Sequence, residues 1–379
     1  SILSLYLSAF HFFVVTLQIE TIINMRLTHF SYSETSWKIT EELPLQTVNL
    51  LVGKNSVGKS KTIRSLGNVI SFLLQQNDSL RHENLSAFLC FEDGKNIIIY
   101  SFICSKGEIT YESLSVNGET YLQRDKETAT LRQEAINPPA NKLILHVRRD
   151  TVQYPYIEKI MLWAEQACGL SFNEMDVAGD NSTMSYILGQ QQDLYTLFKS
   201  LPQNAVSHII SEAQSLDYPI TKIEDLTIGD TFKKVVFHEE GVKSILIDRF
   251  LSKGMFRTLY LLIYIEYLSR QASPSLLLVD DLCEGLDYER STKLGKLLFE
   301  FCLEHNIQLI ASSNDTFLMD VVDLKYWNIL QRKGSQISSI NIQNNPELFE
   351  DFRFTGLSNF DFISSDYIQR HTSKTAKNE

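Results

Sequence analysis

Gly53-Lys54-Asn55-Ser56-Val57-Gly58-Lys59-Ser60 is an unbroken G-x-x-x-x-G-K-S, set between the apolar run Val48–Val52 and a stretch with helical spacing, Ile63, Leu66, Val69/Ile70 and Leu73. Strand, glycine loop and helix in that order are the context in which this pattern binds phosphate. The two glycines let the backbone wrap an anion with successive N–H groups turned inward, and the helix that follows aims its positive end at the same point. The residue types then suggest roles. Lys59 reaches the β- and γ-phosphates, Ser60 holds Mg²⁺, and Gly53, Lys54, Asn55, Ser56, Val57, Gly58 and Lys61 complete the nucleotide cradle.

With 379 residues and 44% apolar content, the chain can bury one large core or one core carrying an inserted subdomain. A net charge of −11 argues against a protein coated in basic surface but leaves room for a local cationic groove, so DNA contact stays open. Cys90, Cys104, Cys168, Cys283 and Cys302 are scattered, without a C-x-x-C pair or a histidine cluster, which implies neither zinc nor a disulfide framework and fits a reducing cytoplasm. Residues 1–24 carry one charge, Glu20, and have the look of a membrane anchor or signal. They lack a basic n-region and a small-residue cleavage pattern, and Met25-Arg26-Leu27-Thr28-His29-Phe30 reads as a natural first strand. The expectation is therefore a start at Met25, with 1–24 an upstream extension.

From Met25 the pattern is strand, turn, strand (Trp37–Thr40), the Pro44 break, then the strand into the glycine loop. Phe30, Tyr32 and Trp37 are candidates to stack on a base; the plainer reading makes them half-buried strand aromatics. Between Phe88 and Gln123, β-rich runs are separated by Asp93-Gly94, Lys106-Gly107 and Asn117-Gly118, the signature of an antiparallel meander. Lys142–Val147 reads as a buried strand ending in Arg148-Arg149-Asp150, whose arginines either face a nucleotide or DNA or form a solvated charge group. Tyr156–Ala164 begins a mainly helical section that runs to about Ser215, with no heptad run of coiled-coil length. Ile223–Ile228 and Phe232–Phe237 read as strands, and Glu239-Glu240-Gly241 turns the chain into Val242–Ile247.

Leu251-Ser252-Lys253-Gly254-Met255-Phe256-Arg257 then opens an apolar helix, Leu259–Leu268. A serine and a glycine at a helix start offer a second phosphate-binding terminus, although alone they are ordinary capping chemistry. The apolar strand Leu276–Val279 ends in Asp280 and Asp281, which suits one carboxylate near Mg²⁺ and a second near an attacking water. After Glu284-Gly285-Leu286-Asp287 come a helix with Leu294, Leu297/Leu298 and Phe301 and the strand Ile307–Ser312, which ends at Ser313-Asn314-Asp315. Strands alternating with helices predict a parallel sheet whose C-terminal edge gathers these polar residues. A hairpin, Tyr326–Leu330 with Gln336–Ile340 across Lys333-Gly334, closes the domain. Beyond Pro346 the aromatics Phe349, Phe352, Phe354, Phe360 and Phe362 are expected to pack, and the last eight or so residues to be disordered.

With the Walker A loop, the signature-like Ser-x-Gly, the Walker B strand and the D-loop-like segment in order, residues 25–345 resemble the ABC-type ATPase heads of the SMC/RecF/OLD group, and within it the compact AAA-labelled ATPases of bacterial antiphage defence. The resemblance implies an α/β P-loop NTPase with an antiparallel β meander and an inserted helical subdomain. Its lobes would span 25–150 and 221–345, with the insert at 151–220 and a tail at 346–379. It further implies ATP and Mg²⁺ as ligands and a homodimer that sandwiches two nucleotides, Ser252 and Gly254 acting on the partner's P-loop. Three positions depart from the family: Leu251-Ser252-Lys253-Gly254-Met255 stands for L-S-G-G-Q, Asp281 for the catalytic Glu, and Asn314 for the switch His. Asp281 is one methylene short, and about 1 Å of misplacement can cost roughly 10²-fold, so slow turnover is expected. The expected function is a soluble ATPase whose ATP-driven dimerisation controls a separate effector, a nuclease or toxin on another chain, in phage defence. The alternatives are a DNA repair ATPase that clamps DNA and, further off, the nucleotide-binding subunit of a transporter.

Overall fold

The computed structural model describes residues 25–76, 84–126, 128–171, 185–186, 194–229, 232–247, 250–271, 276–365 and 367–368. The expectations for 1–24 and for the last eight residues lie outside these. Met25 opens β1 (Met25–Glu34), followed by β2 (Trp37–Ile39), β3 (Leu43–Pro44), β4 (Val48–Val52) and, after the glycine loop, helix α1 (Lys59–Leu73). All five residues of β4 are buried, as a strand covered on both faces requires.

The meander extends further than the sequence signals: β5 (Leu85–Asp93), β6 (Asn96–Ser105), β7 (Glu108–Val116), β8 (Glu119–Arg124), β9 (Ala129–Leu131) and β10 (Glu134–Ile136) pair antiparallel in succession. Its turns use the expected chemistry. Lys106 and Gly107 have φ of 51° and 81°, and Asn117 and Gly118 have 51° and 84°, the two left-handed central residues that match a hairpin's twist.

Lys142–Val147 is not a strand. Ile144–Val147 forms one short helical turn, α2, because the fully buried Glu112 on β7 accepts the N–H groups of Ile144 and Leu145 and so caps its start. A short apolar run does not by itself distinguish strand from buried helix. Next come α3 (Pro155–Gln166), β11 (Cys168–Ser171), β12 (Ser185–Tyr186), α4 (Leu194–Lys199) and α5 (Gln203–Ser215). Among the described residues of 151–220 these helices alternate with β11 and β12, and β11 joins the main sheet; the rest of the helical section expected to run to about Ser215, residues 172–184 and 187–193, lies outside the described residues. A hairpin of β13 (Ile220–Ile228) and β14 (Phe232–Glu239) follows, and of Val242–Ile247 only Leu246 makes a β-bridge, to Phe237.

The rest of the chain is α6 (Lys253–Leu268), β15 (Leu276–Asp280), α7 (Tyr288–Glu304), β16 (Gln308–Ser312), α8 (Thr316–Val321), β17 (Trp327–Lys333), β18 (Gln336–Ile340), α9 (Pro346–Arg353) and α10 (Asp361–Ser364). Among the described residues one mixed sheet of 16 strands runs through the molecule. Its parallel part has the order β11-β15-β16-β4-β17, and β18 and β2 link it to β1 and the meander. Side-chain alternation divides the core. Leu51, Leu276, Leu278 and Ile310 face α1, α3 and the meander. Val48, Leu50, Val52, Leu277, Val279 and Leu309 face α4 to α7 and the tail helices. In the tail Phe349, Phe352 and Phe362 are buried and their rings contact one another, whereas Phe354 is 84% exposed. Among the described residues no helix is long and apolar enough to cross a membrane.

Candidate nucleotide site

The parallel strands end together at the edge that carries the glycine loop. Gly53, Ser56 and Gly58 have φ of 146°, 66° and 102°, so the loop doubles back in a conformation L side chains rarely adopt. Gly58 begins α1 in the left-handed region with no side-chain cap, and the first N–H groups of the helix are left to a ligand. A second reason for glycine at 58 is steric: a Cβ there would lie 2.1 Å from the buried Trp37 ring. Trp37 is thus a wall of the loop. The Lys61 ammonium lies 4.8 Å from its centroid and the Arg332 guanidinium 5.6 Å, and Arg332 also donates to the Ser56 carbonyl at 3.2 Å. Phe30, Tyr32 and Trp37 are all buried, in keeping with the plainer reading of these aromatics.

Lys59 is buried and its Nζ donates to the carbonyls of Gly53 at 2.8 Å and Lys54 at 3.3 Å, bracing the loop from inside. Burial pushes its pKa down, and the charges of Asp281 and Asp280 push it back up. The fold therefore brings the loop lysine and both strand-end carboxylates, far apart in sequence, into one electrostatic neighbourhood.

Asp280 is fully buried at the end of β15. Its Oδ1 accepts the Ser312 hydroxyl at 2.6 Å, while its Oδ2 is buried and has no hydrogen-bond partner among the described residues. Desolvation raises its pKa; the Ser312 hydrogen bond opposes that, the Asp281 charge adds to it, and Ser60 and Arg64 oppose it. An orphaned carboxylate oxygen beside the Ser60 hydroxyl, in a site that disfavours negative charge, fits a divalent cation. Ser60 and Asp280 are the residues that would hold Mg²⁺.

Asp281 is buried with φ 55°, and its N–H donates to the Ser312 hydroxyl at 2.9 Å. Asp enters the left-handed region more readily than Glu, whose side chain cannot bond back to the nearby backbone. This backbone supplies a physical reason for the shorter carboxylate. Cys283 (φ 66°) and Gly285 (φ 80°) continue the tight path, and Arg257 of α6 donates to the Glu284 carbonyl. Asn314 stands exposed one residue past the buried Ser313, whose hydroxyl donates to the Leu282 carbonyl at 2.7 Å.

Ser252 caps α6, its hydroxyl accepting Met255 N–H at 3.2 Å, and a Cβ on Gly254 would meet Leu286 at 2.8 Å. Within the chain, the signature-like turn therefore packs on the segment after Asp281 rather than on its own P-loop. The sequence reading missed Ser312, Trp37 as a wall of the loop, and Arg332. Ser312 had one signal: a polar pair, Ser312-Ser313, following the apolar run Leu309–Ala311.

The glycine loop, the parallel strand order and the paired carboxylates sit in a chain with the fold of ABC-type ATPase heads. Solved structures similar in fold include an SMC head bound to the C-terminal winged-helix domain of ScpA, at 12% identity over 85% of this chain and 99% of that one with a TM-score of 0.52. Others are an SMC head domain from Thermotoga maritima, at 12% identity over 83% and 98% with a TM-score of 0.47, and the recombination mediator RecF, at 11% over 84% and 99% with a TM-score of 0.42. No protein-family model matches the sequence. No curated protein matches it either.

Proposed function

We propose that this chain binds ATP with Mg²⁺, hydrolyses it slowly, and dimerises head to head when ATP is bound, Ser252 and Gly254 of each copy meeting the nucleotide on the other. The observation that carries this reading is Lys59, at the uncapped start of α1, within electrostatic reach of Asp281 and Asp280. Bound Mg²⁺ would neutralise charge on the β- and γ-phosphates. The chain's own residues do the rest: Lys59 turns from the Gly53 carbonyl to phosphate, the α1 terminus binds phosphate oxygens, and Asp281 orients the attacking water. Exposed Asn314 is the switch position, and in place of His it has no proton to give or take near neutral pH.

The lobes at 25–150 and 221–345 supply the two halves of this site, with 151–220 and 346–379 as additions to them. The dimer controls a separate effector, a nuclease or toxin, in antiphage defence within the cytoplasm; the resemblance of the motifs to the compact defence ATPases supports that role. Slow hydrolysis suits a switch, because a dimer that persists can hold its effector in one state. Light scattering with ATP and Mg²⁺ tests the assembly. Wild type should shift to dimer and Ser252→Arg, which puts bulk and charge at the shared phosphate site, should stay monomeric. Equal dimerisation of the two would refute the trans arrangement, and ATP-dependent DNA retention with a steep salt slope would favour the DNA clamp instead.

A further inference from the structure

β11 brings a residue to the site that no motif marks. Ser171, the last residue of β11, lies directly across the parallel register from Asp280. Leu170 faces the helices α4 to α7 with Val279, so alternation turns Ser171 to the same side as Asp280 and Ser312. Ser171, Asp280 and Ser312 thus form a row across three adjacent strands on the α1 side, all of them buried. On one side of Asp280 the row is closed by the 2.6 Å bond from Ser312 to Oδ1. On the other it is open: Ser171 Oγ and Asp280 Oδ2 are both buried and both lack a hydrogen-bond partner among the described residues.

Two orphaned polar atoms on neighbouring strands, roughly 4.8 Å apart in backbone spacing, leave a gap that one small polar body can span. Oδ2 of a carboxylate only accepts, so the body must donate to it. A water bound to a cation is a strong donor with two protons to give, one for each orphan, and Mg²⁺ keeps several of its waters when bound by few protein ligands.

We infer that Ser171 is a positioning residue for the metal: its hydroxyl and Oδ2 of Asp280 together hold one water of the Mg²⁺ ion that accompanies ATP. The inference rests on the ATP and Mg²⁺ reading above. Ser171 would hold that water from the β11 side and would act on the nucleotide only through the metal.

Calorimetric titration of the full chain with ATP, at a series of Mg²⁺ concentrations and in EDTA, tests this without hydrolysis. In Ser171→Ala the Mg²⁺ concentration giving half of the metal-dependent gain in ATP affinity should rise about tenfold, the low end for loss of a group that orients a metal's ligands. ATP affinity in EDTA should equal that of wild type. Ser171→Cys, whose sulfur is a weak acceptor in a side chain of similar shape, should shift the same way and carries the comparison if the alanine variant folds poorly. A wild-type Mg²⁺ dependence in both variants overturns the inference and leaves the nucleotide reading standing, as does an equal loss with and without metal, which would mark a packing residue. A wild-type protein whose ATP affinity gains nothing from Mg²⁺ overturns both.

Discussion

Replacing Ser312 by Ala tests the centre of the site without touching any residue assigned to nucleotide or metal. One buried hydroxyl serves both carboxylate residues, donating to Asp280 Oδ1 at 2.6 Å and accepting the Asp281 N–H at 2.9 Å. A hydrogen bond to a charged group is worth about 1.5–3 kcal/mol, and a buried N–H left unpaired costs about 1–3 kcal/mol, so the variant should lose about 2.5–6 kcal/mol of stability. The loss should depend on pH in a stated direction. Burial already raises the Asp280 pKa, and the Ser312 bond is the strongest influence holding it down. Without that bond the folded-state pKa rises further above the unfolded value. A carboxyl so raised is best tolerated protonated, so its penalty is absent below the unfolded pKa and grows as pH climbs toward the folded one. Urea unfolding of both proteins should therefore show a wider gap at neutral pH than at about pH 4, where the penalty is absent. The freed carboxylate should also lose its aim, reducing Mg²⁺-dependent ATP affinity by about 10–100-fold. A destabilisation below about 1 kcal/mol, equal at both pH values and with Mg²⁺ dependence intact, would refute the reasoning.

Asp281→Asn keeps a residue that tolerates φ 55° and should bind ATP normally while hydrolysis falls and the ATP-bound dimer accumulates; undiminished turnover would move the role to Glu284. Asp281→Glu sets reach against backbone strain: a faster rate shows that reach is limiting, and a slower rate with a lower melting temperature shows that strain is. Gly58→Ala drives a Cβ to 2.1 Å from Trp37 at φ 102° and should abolish nucleotide binding; Trp37→Leu in the same chain should restore part of it, and no restoration would mean that backbone strain alone is responsible. Glu112, buried at the start of α2, is pushed by burial up to about 7. Its folded pKa exceeds the unfolded one, so stability should fall between about pH 4.5 and 7 by about 3 kcal/mol relative to Glu112→Gln, measured by urea unfolding; parallel pH profiles would contradict that.

Local chemistry made some of this legible early. The G-x-x-x-x-G-K-S loop specifies its own conformation, because only glycine supports φ of 146° and 102° while leaving the helix terminus open. Turn pairs such as Asn117-Gly118 determine the meander's hairpins for the same reason. Fully apolar strands such as Leu276–Val279 announce a sheet covered on both faces, and Ser252 places the start of α6 within one residue. These features depend on neighbours a few positions apart, which the sequence prints side by side.

What depends on distant partners was decided by the tertiary structure. Lys142–Val147 reads equally well as strand or helix until Glu112 caps Ile144 from another element. Ser312 becomes the support of the Asp280 carboxylate and the Asp281 backbone only because β16 lies beside β15, and Ser171 faces Asp280 only because β11 is inserted as the next strand. Trp37 becomes a wall of the P-loop through pairing of β2 with β18, which brings it against Gly58. Even the short carboxylate at 281 acquires its reason from a backbone angle imposed by the hydrogen bonds of a neighbouring strand. The sequence by itself determined which chemical groups the site contains; strand order and register decided which of them meet, because a side chain's partner in a sheet is set by pairing across strands and not by position along the chain.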